Sequence, residues 1–449
     1  MNVIFIAPEC LPFAKVTELA DVVTKLSKDI EKEGHNVKVL IPRYGSIDPQ
    51  LFHIERLPVD FKFRFNDTNA TAMVYKGIVP NSFVNVFFID SQSYFSNSKE
   101  IYLGSPNGGE NLERNKFFSQ ASLEVISKLK LYPDVIHLFN SSTAHAVRLL
   151  CSKQIEYTSL NQARIIFTLY STYGLKGELL NITSDAIKHS DCITSVSKAY
   201  AHELLSNGEG AFLGIQSSID EDIYNPESDS AITQTYSSNY FSIGKRKCKE
   251  DLLKEAGLEI NHQIPLFGYI ARLKEEDGSD VLNSTIPQIG HLNIQLIILN
   301  RGNQTIEQEL TKTTSRYKNI KVLSAHEHDT IKKIYAGCDF FISINKPEPS
   351  GISALNAMKY GSVPIVYATG AIKDIGIDTY EDDERGNCFS FSNYKKDDLL
   401  DAIAKAIKYY KNREKWPKLV KQCMTYDLNT FETAKKYINC YKSIANVYQ

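Results

Sequence analysis

Along the first stretch of the chain, apolar and polar positions switch between two periods. Val3 to Ala7 is an unbroken apolar run of the length of a buried strand. From Leu19 to Ile30 the apolar residues Leu19, Val22, Val23, Leu26 and Ile30 return at helical spacing. Gly34 is a stop signal for that helix, and Val37 to Ile41 is a second apolar run. This pattern predicts a strand–helix–strand unit. The loop from Glu9 to Glu18 then sits at the carboxyl end of a parallel strand, where doubly wound sheets bind ligands.

The alternation continues. Val84–Ile89, Val135–Leu138, Arg164–Thr168 and Cys192–Val196 read as short buried strands, with a long amphipathic helix at Leu112–Leu131. From Pro226 to about Asn261 Asp, Ser, Tyr and Lys dominate, with one helical patch at Lys245–Ala256, and this stretch reads as a linker. A second series follows, with strands at Pro265–Ala271, Ile294–Leu299, Phe340–Ile344 and Val363–Tyr367. Its helices are at Asp280–Gln288, Ile306–Ser315, Thr330–Ala336, Ile352–Lys359 and Asp397–Tyr410. The expected fold class is α/β, with two doubly wound, Rossmann-like domains facing a central cleft.

Composition narrows the function classes. A chain of 449 residues suggests two or three domains, and 43% apolar with 23% charged residues is ordinary globular usage. A net charge of −2 gives no general attraction to nucleic acid or to an anionic membrane. No apolar run approaches the ~18 residues of a membrane span, and the first residues lack a basic leader. The eight cysteines are scattered without metal-type spacing and read as buried thiols in a reducing cytosol, hence a cytoplasmic protein.

Several motifs stand in order. Lys15-Val16-Thr17-Glu18-Leu19-Ala20-Asp21 fills the first loop, and Ile41-Pro42-Arg43-Tyr44 ends the second strand. Glu110-Asn111-Leu112-Glu113-Arg114 precedes Phe117-Phe118-Ser119. Ala271-Arg272-Leu273, Glu348-Pro349-Ser350-Gly351 and Tyr360-Gly361-Ser362-Val363-Pro364 follow in the second half. Taken together these resemble bacterial glycogen synthases and plastid starch synthases over nearly the whole chain. The resemblance implies a GT-B type glycosyltransferase fold. It implies an acceptor-side domain over residues 1–240, a nucleotide-sugar domain over 241–425, and a terminal segment over 426–449 whose helix, Phe431–Val447, packs back on the first domain. It also implies glucosyl transfer from a nucleotide sugar to an α-glucan, with retention and without a metal or other cofactor. A nucleotide sugar and an α-glucan are the implied partners, with a partner synthase as a further possibility.

Such chemistry needs positive charge on the leaving diphosphate and a polar group near the anomeric carbon. By resemblance Lys15, Arg272, Gly351, Ile352 and Asp21 bind the donor, and Glu348, Tyr170 and Asn140 stand at the catalytic positions. No residue is a metal ligand. Several positions depart from the family. Its Lys-Thr-Gly-Gly loop has Thr17 and Glu18 for the two glycines, which puts a negative side chain where a diphosphate would approach. Its lysine five positions after the arginine is Asp277. At ~5 Å and an effective dielectric of ~20 each charge against a phosphate is worth about 3 kcal/mol, so that exchange costs roughly 6 kcal/mol. The aspartate of its His-Asp-Trp-His-Thr is Asn140, the histidine of its Thr-Ile-His-Asn is Tyr170, Ser350 replaces a cysteine, and Ser217 and Ser218 replace an Asn-Gly pair.

Blander readings compete. Lys15 and Arg272 outside this frame are surface charges, Asp21 is a first-turn helix acid, and Glu348 before a proline is a loop residue. His326-Glu327-His328 reads as a solvated loop rather than a metal pair, Glu381–Glu384 as a solvated acidic run, and His137 as a core histidine. Three readings remain open at this point: a divergent transferase, an inactive homologue acting as a glucan-binding or regulatory partner, or a transferase for a changed donor with a less charged leaving group, which the lost lysine and the two gained acids would suit.

Overall fold

The structure, a computed structural model, describes residues 1–152, 160–206, 208, 211–271, 277–300, 304–324, 328–428 and 432–445. It divides into two compact units, Met1–Ser218 with Phe431–Gln449, and Ile219–Thr430. No helix among the described residues is long and apolar enough to cross a membrane.

The first unit opens with β1 (Asn2–Ile6), α1 (Leu19–Lys32) and β2 (Asn36–Pro42). It continues through β3 (Glu55–Arg56), β4 (Phe61–Phe65), β5 (Thr68–Ile78), β6 (Asn85–Asp90), α2 (Leu112–Lys128) and β7 (Val135–Phe139). Then come α3 (Ala144–Ser152), β8 (Arg164–Leu169), α4 (Gly177–His189), β9 (Cys192–Ser195), α5 (Lys198–Ser206) and β10 (Leu213–Gly214). The strands lie in the order β10-β9-β8-β7-β1-β2-β6-β5-β3, with β4 on β5, and the run from β10 to β6 is parallel. Every residue of β7 is buried, as expected of a parallel strand covered on both faces. Helix α2 ends at Lys128, short of Leu131, because Lys130 and Tyr132 take positive φ.

The second unit holds α6 (Phe241–Glu255), β11 (Leu266–Ala271), α7 (Ser279–Ile289), β12 (Gln295–Asn300), α8 (Gln304–Thr314) and β13 (Ile320–Ser324). It continues with α9 (His328–Gly337), β14 (Phe340–Ser343), α10 (Ile352–Lys359), β15 (Val363–Tyr367), α11 (Ile372–Ile375), β16 (Phe389–Phe391), α12 (Lys396–Tyr410) and α13 (Lys415–Met424). Among the described residues its six strands are all parallel in the order β13-β12-β11-β14-β15-β16. Each sheet therefore reverses its winding once, between β1 and β7 in the first unit and between β11 and β14 in the second.

The polar stretch from Pro226 to Asn261 is not a linker. It belongs to the second unit, and three of its charged residues, Asp229, Lys245 and Lys249, are buried there. Lys245, on α6, donates to the carbonyls of Ala336, Cys338 and Tyr360 at 2.9–3.0 Å. Lys249 reaches the Asp339 carboxylate at 2.6 Å, and Asp229 accepts from the Tyr360 hydroxyl. A buried ammonium surrounded by acceptors looks like linker composition in one dimension and is a clamp in three.

After α13 the chain returns to the first unit as α14 (Thr433–Ala445). The Tyr441 hydroxyl meets Nδ1 of His137 at 2.8 Å, while Nε2 of His137 meets the Thr168 hydroxyl at 2.6 Å. His137 is thus a satisfied core histidine on β7, and burial holds its pKa well below the usual value. The acidic run at Glu381–Glu384 lies on the surface, with Asp382 paired to Arg385 and Asp383 to Lys415. His326 and Glu327 lie outside the described residues, and His328 is the first residue of α9. Cys151 is exposed and Cys192 half-buried, so the expectation that all thiols are buried fails at these two.

Two outcomes are expected. Lys245→Met should lower unfolding stability by about 3 kcal/mol in urea, because it removes three charge-assisted hydrogen bonds to buried carbonyls; an unchanged midpoint would contradict the clamp. On α3, burial lowers the His145 pKa to about 4, and its Nδ1 has no hydrogen-bond partner among the described residues. The unfolded chain binds that proton near pH 6.5 and the folded chain does not, so stability should fall as pH drops from 6.5 toward 4. Allowing for partial exposure, about 2 kcal/mol of that loss should disappear in His145→Asn.

Candidate functional site

In the first unit the loops after β1, β7 and β8 meet at the winding reversal, where crossovers leave in opposite directions and open a gap. The β1 loop is organised by a residue the sequence reading passed over. Glu9 is fully buried, and its carboxylate accepts from the Val16 N–H, from the Thr17 N–H at 2.8 Å and hydroxyl at 2.7 Å, and from the Tyr102 hydroxyl at 2.6 Å. Burial raises its pKa, against the pull of those bonds. Tyr44, from the Ile-Pro-Arg-Tyr motif, donates to the Pro8 carbonyl at 3.0 Å. Thr17, replacing a glycine, therefore ties the loop to Glu9.

Glu18 is the N-cap position of α1 and makes no side-chain cap bond. Its Oε2 accepts instead from the Tyr170 hydroxyl at 3.3 Å. Two departures from the family pattern, one in the β1 loop and one at the end of β8, are thus partners. Lys15 lies 2.7 Å from the buried Asp21 carboxylate, which stands in the first turn of α1. The acid both suits the helix dipole and fixes the ammonium.

Asn140 follows β7 with φ +64 and ψ 172, a conformation strained for any residue but glycine. It is held from three sides. Its N–H donates to the Thr168 carbonyl at 2.8 Å, its Oδ1 accepts from the Ser171 N–H at 3.3 Å, and its Nδ2 donates to Asn107 Oδ1 at 3.3 Å. Asn107 also accepts from the Ser141 hydroxyl at 2.7 Å and donates to the carbonyls of Ser171 and Tyr173 at 3.1 and 2.9 Å. An aspartate at 140 would set acceptor against acceptor at Asn107, so the amide fits this network better than the family's acid. Ser217 is buried, its N–H bonded to the Val196 carbonyl.

In the second unit the reversal is flanked by the loops after β11 and β14. Glu348 is buried, and its carboxylate accepts from the Asn345 amide at 2.8 Å and the Gly351 N–H at 3.0 Å. Gly351 has φ +71 and opens α10, and a Cβ there would sit 2.6 Å from Ile375. The Ile352 N–H points to the Ser350 hydroxyl at 3.4 Å. Asp277 is buried one residue before Gly278, the N-cap of α7, and its carbonyl accepts from the Tyr269 hydroxyl at 2.6 Å. Gly278 has φ +83, and a Cβ there would lie 2.6 Å from the Ile344 carbonyl, so the β11 and β14 loops touch through a glycine. Arg272 lies outside the described residues.

Lys15, Asn140 and Tyr170 thus stand on the loops of the first unit with Asp21 in the first turn of α1, and Glu348, Gly351 and Ile352 at the entry to α10 in the second. Tyr102 and Asn107 were missed because their partners lie far away in sequence; Glu9 was missed although Val16 and Thr17 lie in its own loop, and only its placement just after a predicted strand pointed to it.

Comparison with known proteins gives consistent results. Residues 2–218 match the starch synthase catalytic domain family, and residues 253–422 match glycosyl transferases group 1. Glycogen synthase 2 of Geobacter metallireducens is 30% identical, covering 99% of each chain. A glycogen synthase of Thermosipho melanesiensis is 31% identical, covering 98% of each. The catalytic domain of starch synthase IV from Arabidopsis thaliana, solved with ADP and acarbose, superposes with a TM-score of 0.88 at 25% identity, covering 99% of each chain.

The Glu18–Tyr170 pair is open to a double-mutant cycle. Glu18→Gln, Tyr170→Phe and the double variant should show a coupling of about 1 kcal/mol in urea unfolding. Strict additivity would mean that the two side chains do not hold each other.

Proposed function

This chain belongs to the glycogen and starch synthase family of glycosyltransferases, and on that premise we propose that it transfers glucose, with retention, from ADP-glucose or UDP-glucose to an α-1,4-glucan. The carrying observation is the frame kept within each unit: Asp21 fixes Lys15 in the first, and Asn345 with the Gly351 N–H fixes Glu348 in the second. In this reading the first unit serves the acceptor and the second the nucleotide sugar. Lys15 and Arg272 take the diphosphate, helped by the Gly351 and Ile352 N–H groups at the N-terminus of α10. Glu348 addresses the donor sugar, and Tyr170 and Asn140 stand near the anomeric carbon, where positive charge develops. Eight free cysteines suit a cytoplasmic setting.

A second reading, a non-catalytic glucan-binding or regulatory partner of an active synthase, is favoured by one observation. Tyr170, near the anomeric carbon in the first reading, is bonded to Glu18, an anion in the loop that the donor diphosphate approaches. Asp277 adds a further acid beside the Arg272 motif.

Calorimetry with ADP-glucose and UDP-glucose separates the two. Donor binding that Arg272→Ala abolishes, followed by labelled glucose entering glycogen, supports transfer. The double variant Thr17→Gly with Glu18→Gly should then bind donor at least about ten-fold tighter, since removing one anion near a phosphate is worth 1.4 kcal/mol or more. No donor binding at millimolar concentration, with glycogen still bound, would overturn the transferase reading in favour of the second.

A further inference from the structure

Cys192 opens β9, and Cys440 lies on the buried face of α14, and their sulfurs are 2.9 Å apart. Both are free thiols in this structure. That separation is about 0.9 Å longer than a covalent S–S bond, so closure needs only a small movement of two side chains. Cys192 is half-buried and gives a reagent access, whereas Cys440 is buried behind it. Helix α14 is already fixed at two other points, by Tyr441 on His137 and by the Thr433 hydroxyl on the Gln216 carbonyl at 2.7 Å. The two sulfurs are thus held side by side by the fold.

We propose that Cys192 and Cys440 are a redox-responsive dithiol whose oxidation forms a disulfide that staples α14 to the sheet of the first unit. The co-reactant class is a low-molecular-weight disulfide such as oxidised glutathione. Cys192, as thiolate, attacks one glutathione sulfur; a mixed disulfide forms and glutathione thiolate leaves. Cys440 then gives up its proton and attacks the Cys192 sulfur, expelling the second glutathione as thiolate. Two protein thiols are oxidised, one glutathione disulfide is reduced to two thiols, and the two protons released balance the two thiolates. The hydrogen bond from Cys440 lowers the Cys192 pKa, while Cys440 is raised, which marks Cys192 as the entering nucleophile. The second unit, Ile219–Thr430, lies wholly inside the loop that this bond closes. In a reducing cytosol such a bond is transient and reports an oxidising shift.

The test uses the purified full chain, titrated with oxidised glutathione and read three ways. Of its eight thiols, two should disappear in a denaturing thiol assay. Non-reducing peptide mass spectrometry should recover the Cys192 and Cys440 peptides joined, about two mass units below their sum. The thermal midpoint of the oxidised protein should rise and return on reduction. Cys440→Ser should stop at glutathionylated Cys192 and lose the rise, while Cys151→Ser, which removes the exposed thiol, should behave as wild type. Full retention of all thiols, a bond between other cysteines, or an unchanged midpoint with the joined peptide present would each overturn the proposal. None of these readouts depends on glucosyl transfer.

Discussion

Two neighbouring parallel strands whose crossovers leave in opposite directions open a gap at their carboxyl ends that neither crossover covers. Each unit has one such place, and the site residues described stand around it. Loop geometry follows from that constraint. The β1 loop runs for twelve residues from a buried strand into α1, and its backbone N–H groups need partners in a dry setting. Glu9 supplies them, which is why a carboxylate with no positive partner in its bonding set is tolerated at the floor of the loop.

Charge is the second theme. At a helix entry the uncapped N–H groups welcome an anion, from solvent, from a ligand or from the chain itself. Here the chain places its own carboxylates at three entries: Glu18 at α1, Asp277 before α7 and Glu348 at α10. Glu348 is bonded into its helix through Gly351, so it shapes the site without competing for it. Glu18 is bonded across to Tyr170, so its charge is directed by a neighbour rather than by its own helix. In the proposed transfer, a donor diphosphate approaching any one of these entries would meet a carboxylate of the chain. Folding favours the arrangement and a charged ligand opposes it, and the balance is local to a few side chains.

Much of this was legible in one dimension. The unit from β1 to β2, the strands at β7 and β15 and the helix at α10 follow directly from apolar runs and helical spacing. The β4–β5 hairpin was also written there, since Phe61, Phe63 and Phe65 alternate with Lys62 and Arg64, and Asn66 and Asp67 take the positive φ of a two-residue turn. It went unread because a short alternating strand carries a weaker signal than a continuous run. The segment around Lys245 and Lys249 was misread for a different reason. Composition assumes that lysine is outside, and here the carbonyls that receive the ammonium are supplied by residues about ninety positions away. The network on Asn107 and the Cys192–Cys440 contact have the same character: no periodicity encodes a partner that only the finished fold brings near.

The path of the chain has a consequence for synthesis. The first unit is interrupted after Ser218 and is completed only by α14, so its last helix leaves the ribosome after the whole of the second unit. At about 5–20 residues per second, roughly 200 intervening residues take about 10–40 s. During that interval the face that α14 will cover is open: His137 lacks the Tyr441 hydroxyl, and Cys192 faces no partner thiol. The nascent first unit must therefore wait, with an apolar strip uncovered, for a segment not yet translated. That is an interval in which a chaperone has something to hold.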